Sequence, residues 1–325
     1  MLRLAHRILS QQTGLSPIVV PKAVPTYLER YKRLQAGLRV PDCRIVIADN
    51  VAQYYADTSK QDWTLNSKNF PCIAPPFETI WFIEWQEPGY VIGEKGIARR
   101  TGGRHVQGGA FFMNMPIDKA KDLCTEALMP APDLERLFNL ARWFLVVQYC
   151  VATDNGQVWY LPTMHGVFVS PDGAYLESFS LSECVDPSIA TGRKLADAWQ
   201  ALLHVPLLTL GFLQCKNVTR LDVSNTEGPS PKWCRRQRVP ELKYHALQID
   251  PSVGSRPAGA RKTKGDRSGK ALHICRGHFS HFVDDGVSQG LFGRRQFGTF
   301  WVPAHTRGSA DLGKVVSTYN VQVPA

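Results

Sequence analysis

The sequence predicts an α+β protein: a mixed body with core helices and a small antiparallel sheet, followed by a basic β-rich C-terminal module. Three observations predict this class: apolar residues at helical spacing, short aromatic and β-branched runs, and an excess of basic residues toward the C-terminus. The 325 residues, 44% of them hydrophobic, suffice to bury one or two cores without disulfides or metals. We therefore expect a neutral body at residues 1–230 and a basic module at residues 231–325.

Four segments of the body carry the apolar periodicity or the capping residues of α-helices. Thr26 and Asp133 have side chains that can accept a hydrogen bond from the first turn of a helix. The N-terminal segment sets Arg3 and Arg7 in an apolar pattern, which is typical of an amphipathic helix and unlike a cleaved signal peptide. We expect helices at residues 1–12, 26–37, 133–150 and 192–214.

Aromatic and β-branched runs predict the strands. Pro171, Asp172 and Gly173 supply turn chemistry between two apolar runs, so residues 158–179 are expected to form a hairpin. Residues 251–270 contain few apolar side chains and many Gly, Ser, Lys and Arg, which predicts a mobile loop. The other expected strands are residues 44–48, 79–85, 108–115, 242–249, 272–283 and 297–304.

Several function classes find no support in the sequence. The eight cysteines stand singly, without the paired spacing of a zinc site, so reduced thiols and no metal centre are expected. No run reaches the roughly 18 apolar residues of a membrane span, so we expect a soluble, cytoplasmic protein without a membrane partner. The glycine-rich segments 93–96 and 101–109 lack the spacing of a phosphate-binding loop, and no cofactor is expected.

The net charge of +10 is concentrated in one part of the chain. Residues 232–307 contain fifteen Lys or Arg and five Asp or Glu, whereas the remaining residues contain 23 of each kind. A basic segment joined to a balanced body is typical of a module that binds a polyanion. A solvated surface rich in Lys and Arg is the alternative that charge alone leaves open.

The basic module combines cations, imidazoles and aromatic rings, which suits contacts to phosphates, riboses and unpaired bases. We expect it to bind nucleic acid, with RNA favoured and DNA possible. Part of the aromatic set also has to serve as the core of a small sheet. The candidate nucleic-acid-binding residues are Lys232, Arg235, Arg236, Arg238, Arg261, Lys262, Lys264, His273, Arg276, Gly277, His278, Phe279, His281, Arg294, Arg295, Trp301, His305 and Arg307.

Two alternatives use the same region differently. In a metal-independent ribonuclease, His278 and His305 would act as base and acid, and Arg276 would stabilise the transition state. A DNA-binding accessory protein would need the same charge distribution. A metal site is less suited to the sequence, because the spacing of His273, His278 and His281 scatters ligands over both faces of a strand. We favour a binding protein over an enzyme, because the histidines have no neighbouring carboxylate to orient them.

At residues 273–303 the sequence resembles a family found on phages and mobile elements, which includes the anti-CRISPR proteins that lower expression of the type V-A effector nuclease. Family members carry near the C-terminus a HIxRGHWxxYW-like signature, followed by a strand with a WxP element. This chain departs from the signature in having Phe279 where the family favours Trp, and in a longer connection through residues 291–294. The matching residues are His273, Ile274, Arg276, Gly277, His278, Phe279, Phe282, Trp301, Val302 and Pro303.

The resemblance implies a function that composition and spacing do not reveal. In the family, recognition of a target's nascent N-terminal peptide is linked to loss of the mRNA being translated. The implied arrangement is a body that recognises a peptide and a basic module that contacts RNA or the ribosome. From the resemblance we expect an RNA- or ribosome-associated regulator of gene expression, acting without a cofactor.

Overall fold

The computed structural model divides the chain into two compact units. Unit 1 comprises Met1–Gln214 and Val218–Gln248, and unit 2 comprises Cys215–Asn217 and Ile249–Ala325. The boundary therefore lies near residue 248 and not at residue 230, because the strand that begins at Tyr244 pairs with the main sheet of unit 1. The structure describes residues 3–10, 24–40, 43–57, 64–77, 80–92, 98–125, 131–152, 158–180, 193–249, 271–275, 277–287, 290, 295–302, 305–307 and 309–314.

The helices of the described residues all lie in unit 1. Those expected near residues 1–12, 26–37 and 192–214 are confirmed. The helices are α1 Leu4–Ser10, α2 Val24–Arg39, α3 Asp49–Asp57, α4 Ile117–Thr125, α5 Ala131–Leu140, α6 Arg193–Leu213, α7 Ser224–Glu227 and α8 Pro231–Gln237.

The main sheet of unit 1 has eight strands in the order β6-β5-β4-β3-β2-β1-β8-β7. Strand β1 pairs in parallel with β2 and β8, while β2 to β6 pair antiparallel in sequence order. The α+β class is confirmed, but the expectation of a small antiparallel sheet is wrong, since the sheet is large and mixed. Its strands are β1 Arg44–Ile47, β2 Ile80–Ile92, β3 Ala98–Met115, β4 Trp143–Ala152, β5 Val158–Val169, β6 Tyr175–Ser180, β7 Val218–Asp222 and β8 Tyr244–Ile249.

The expectation of a single helix over residues 133–150 is wrong for its second half. Helix α5 ends at Leu140, and strand β4 begins at Trp143 in the middle of the sheet. Nine of the ten residues of β4 are buried, so both faces of the strand are apolar. A strand covered on both sides loses the alternation that distinguishes it from a buried helix. The hairpin over β5 and β6, with its turn at residues 171–173, is confirmed.

One face of the main sheet is covered by two groups of helices. Helices α1 and α2 belong to a core cluster with Phe82 and Phe111. Residues of α4 and α5 form a second cluster with Phe144 and Phe168. Gly109 lies under this layer, where an added Cβ would stand 2.4 Å from the Phe82 ring and 2.8 Å from Leu4. The missing side chain of this glycine therefore lets α1 approach the sheet.

Unit 2 is built from short strands in two small sheets. Strands β10 His278–Phe282 and β11 Gly298–Val302 form an antiparallel pair. Strand β9 Ala271–Cys275 lies between β12 His305–Arg307 and β13 Ser309–Lys314. The single strand expected over residues 272–283 is therefore two strands in different sheets. The loop expected at 251–270 lies outside the described residues.

Three observations on the described residues concern membrane, thiol and metal chemistry. No helix in the described part is long and apolar enough to cross a membrane. The six cysteines whose side chains are described are free thiols. Within the same described residues, no group of three His, Cys, Asp or Glu side chains could hold a metal ion.

Candidate nucleic-acid interface

Helix α8 carries the basic cluster of residues 232–238 and has well-defined ends. At its N-terminus the Ser230 side chain accepts a hydrogen bond from the Trp233 N–H, and Pro231 occupies the first turn, where its missing N–H costs nothing. At its C-terminus Arg238 adopts the left-handed conformation with φ 55°, and its N–H donates to the Arg235 carbonyl at 3.3 Å. These caps fix where the helix begins and ends.

The inner face of α8 is packed against the core of unit 1. Cys234 is 2% exposed, and Trp233 meets the His6 ring edge to face at 5.9 Å. The His6 Nδ1 atom lies 2.5 Å from the Tyr244 hydroxyl, and burial lowers the pKa of His6 to about 4. His6 is therefore a neutral, satisfied core histidine at physiological pH, and it links α1 to β8.

The outer face of α8 presents four exposed cations: Lys232, Arg235, Arg236 and Arg238. Residues 228–240 contain no Asp or Glu. Among the salt bridges of the described residues, none involves these four cations. Within the described residues these charges are therefore not paired in a salt bridge, and unpaired surface cations are what a phosphate-binding surface requires.

In unit 2, the pair β10–β11 places its histidines outward. His278 and His281 are both exposed, and the His281 Nδ1 atom lies 3.0 Å from the Thr299 hydroxyl. Phe279 meets Trp301 edge to face at 4.9 Å, and both lie on the same face as His281. This face therefore combines an exposed imidazole with a half-buried aromatic ring.

Trp301 itself packs inside unit 2, and is not placed to stack on a base. It is 4% exposed. Its backbone N–H donates to the Asn217 side-chain oxygen at 2.9 Å, and its backbone carbonyl accepts from the Asn217 side-chain NH2 group at 2.8 Å. Its ring covers Gly277, where an added Cβ would stand 2.6 Å from the Cζ2 atom. The glycine of the signature thus makes room for the tryptophan of the following strand.

We expect Gly277→Ala to destabilise unit 2 by about 1–3 kcal/mol through overpacking against Trp301. The backbone of Gly277 is not among the positive-φ positions, so steric contact and not backbone strain is the cause. Denaturant unfolding of the full chain measures the change. In a Trp301→Phe background, which removes the outer ring atoms, the same substitution should cost less; an equal cost would contradict the contact.

The proposed ribonuclease pair is not brought together by one sheet. His278 lies on β10, opposite Val302, whereas His305 lies on β12, opposite Cys275 of β9. Arg307 pairs with His273 in that second sheet, and Arg295 is exposed with φ 54°. The side chains of His273, His305 and Arg307, and the whole of Arg261, Lys262, Lys264, Arg276 and Arg294, lie outside the described residues.

A buried ionic group that sequence reasoning missed holds α1 on the sheet; we call it the Arg3 cluster. The Arg3 guanidinium donates to Asp49 and to Glu227, each at 2.9 Å, and lies 3.7 Å from the Glu84 carboxylate. Glu84, which is 1% exposed, accepts the Ala5 N–H at 2.9 Å. Burial raises the pKa of Glu84 to about 7. The available signal was an acid among the bulky apolar residues of strand 79–85, because a buried carboxylate requires a partner.

The comparisons with known proteins leave the resemblance as a prediction. No family model matches the chain, no curated protein matches it, and no solved structure matches its fold. The function has to be argued from the surfaces described above.

Proposed function

We propose that this protein binds single-stranded RNA and regulates gene expression from a mobile element, in association with RNA or the ribosome. The observation that carries the proposal is α8 and its C-cap, where Lys232, Arg235, Arg236 and Arg238 are exposed and take part in none of the salt bridges of the described residues. Cations spaced along one helical face neutralise successive phosphates, which supplies most of the affinity in binding that is independent of base sequence.

RNA is favoured over duplex DNA because unit 2, taken by itself, also exposes imidazoles beside an aromatic ring. His278 and His281 are exposed on β10, and Phe279 is half-buried beside His281. Rings of this kind stack on or hydrogen-bond to unpaired bases and riboses, which a closed duplex does not offer. The regulatory role, with recognition of a nascent peptide by the body, is taken from the resemblance to the anti-CRISPR family.

The proposal is tested by measuring the affinity of the purified full chain for labelled single-stranded RNA, duplex RNA and duplex DNA. We expect single-stranded RNA to bind most tightly and Arg235→Ala/Arg236→Ala to weaken it about tenfold or more, because two phosphate contacts are lost. The matched control is Lys32→Ala/Lys119→Ala, which removes two exposed cations from α2 and α4. Its affinity should stay within about twofold of the wild type.

Four outcomes would contradict the proposal. If no nucleic acid binds, the proposed function is wrong. If the α8 variant and the control behave alike, the interface is misplaced. Tighter binding to duplex DNA favours the DNA-binding alternative. RNA cleavage by the pure protein in the presence of a chelator, abolished by His278→Ala, favours the ribonuclease. Co-sedimentation with ribosomes, lost in the α8 variant, tests the regulatory part.

A further inference from the structure

A second group of cations lies on the main sheet, on three adjacent strands at one edge. The sheet order ends β1-β8-β7, so β7 is the edge strand. In β8, Tyr244 points into the core with α1, so His245 points to the opposite face. Lys243 directly precedes β8 and is exposed between the buried Leu242 and Tyr244. Register sets His245 beside Val46 of β1, and the Val223 N–H donates to the Tyr244 carbonyl at 2.9 Å.

The strand alternation gathers the charged side chains of this edge on one face. Arg220 and Asp222 are two residues apart on β7 and share a face, and Asp222 stands beside His245 across the strand pair. Arg44 begins β1 on the same face as Val46. Arg220, Asp222 and Lys243 are exposed, while Arg44 and His245 are half-buried. We call the three cations and the histidine, at residues 44, 220, 243 and 245, the edge patch, and Asp222 stands beside it.

An aromatic ring supports one of these cations. The Arg220 guanidinium lies 5.3 Å from the centroid of the Phe77 ring, which is half-buried. A guanidinium beside an aromatic ring gains a cation–π attraction that helps to hold it in place, while its N–H groups can still donate to a phosphate. An exposed arginine on a flexible stem would lose more conformational entropy when it binds.

The charges of the edge patch act on one another. Burial lowers the pKa of His245, the Asp222 carboxylate raises it, and the cations of Arg44, Arg220 and Lys243 lower it. The His245 Nε2 atom is buried and makes no hydrogen bond. Asp222 is engaged by the Ser224 N–H at 2.9 Å and by the Ser224 hydroxyl at 2.6 Å, so its charge is partly committed to the start of α7.

We propose that the edge patch is a second phosphate-binding surface, which holds the backbone of single-stranded RNA across β1, β8 and β7. This inference rests on the proposed function, because it takes RNA to be the ligand. The positive charge complements the phosphates, and the supported Arg220 provides a stacking face for an unpaired base. An RNA strand bound at both the edge patch and α8 is held at two separate sites of unit 1.

The test is the affinity of the full chain for a labelled oligouridine in the wild type and four variants. Arg220→Ala/Lys243→Ala should weaken binding about tenfold, relative to the control Lys32→Ala/Lys119→Ala of equal charge loss. Asp222→Asn keeps the acceptor oxygen for Ser224 and removes the carboxylate that stands beside the edge patch, so it should tighten binding about two- to threefold. A misfolded variant cannot produce that gain. The fourth variant is Arg235→Ala/Arg236→Ala.

The outcomes separate the two proposals. If the wild type binds RNA and the α8 variant weakens this binding, but neither Arg220→Ala/Lys243→Ala nor Asp222→Asn changes it, this inference is overturned and the proposed function stands. Absence of binding by the wild type overturns both. A direct readout is the pKa of His245 measured by NMR, which should rise when RNA is added, because a phosphate brings negative charge to the patch. An unchanged pKa in the presence of saturating RNA contradicts the edge patch.

Discussion

Replacing Arg3 by alanine is expected to lower the free energy of unfolding by about 3 kcal/mol, the cost of leaving a buried charge without its partner. Arg3 is 7% exposed and is the cation that faces the carboxylates of Asp49, Glu84 and Glu227. Glu84 is the most deeply buried of the three acids, so it loses most when the guanidinium is removed. Denaturant unfolding monitored by circular dichroism measures the change.

The pH dependence distinguishes this charge effect from a loss of packing. Burial raises the pKa of Glu84 to about 7, above its value in the unfolded chain. A carboxyl group with a raised folded pKa stabilises the fold when protonated, and that contribution is lost as pH rises through the folded pKa. Without Arg3 the pKa of Glu84 should rise further, so the variant should lose more stability at about pH 8 than at about pH 5.5.

Two further variants complete this test: a double variant that also removes the buried carboxylate, and a control variant at an exposed ion pair. Arg3→Ala/Glu84→Gln should be more stable than Arg3→Ala alone at about pH 8, because the unpaired charge is gone. Arg33→Ala removes an arginine paired with Glu29 on α2, where the side chains are 76% and 62% exposed. It should cost less than about 0.5 kcal/mol. Equal losses for Arg3→Ala and Arg33→Ala would show that the Arg3 cluster does not anchor α1.

Local patterns predicted the elements that carry a turn signal or helical periodicity in the sequence. The hairpin of β5 and β6 and the helices α1, α2 and α6 follow from turn residues and periodicity, although Thr26, the expected cap of α2, lies inside that helix, which begins at Val24. The sheet size was missed because β4 is apolar on both faces, which periodicity cannot distinguish from a buried helix. The parallel pairing of β1 with β8 joins residues about 200 positions apart, a separation that no local pattern encodes.

The sequence predicted which residues of the candidate site are charged, but not where the fold places them. The basic residues of α8 were identified from composition, whereas their attachment to unit 1 depends on Cys234 and Trp233 packing near His6. The edge patch was missed because its members come from three distant segments and meet only through strand register. Trp301 was a candidate nucleic-acid-binding residue, but it belongs to the aromatic residues that serve as core, held inside unit 2 by the Asn217 amide and the gap at Gly277.

Raising monovalent salt from about 0.05 M to about 0.2 M is expected to weaken RNA binding by at least about 50-fold. The slope of log affinity against log salt is roughly −0.7 for each neutralised phosphate of a single strand. The four cations of α8 alone then give a slope of about −3. If Arg220 and Lys243 of the edge patch contact the same strand, the slope becomes about −4 and the loss about 300-fold.

The slope therefore measures how many of the described cations engage one RNA, independently of the absolute affinity. In Arg220→Ala/Lys243→Ala the slope should become shallower by about 1.4, and the same change is expected in Arg235→Ala/Arg236→Ala. The control Lys32→Ala/Lys119→Ala should keep the wild-type slope, because neither lysine belongs to α8 or the edge patch. A wild-type slope shallower than about −1 would contradict phosphate-dominated binding, and would mean that base and ribose contacts supply the affinity.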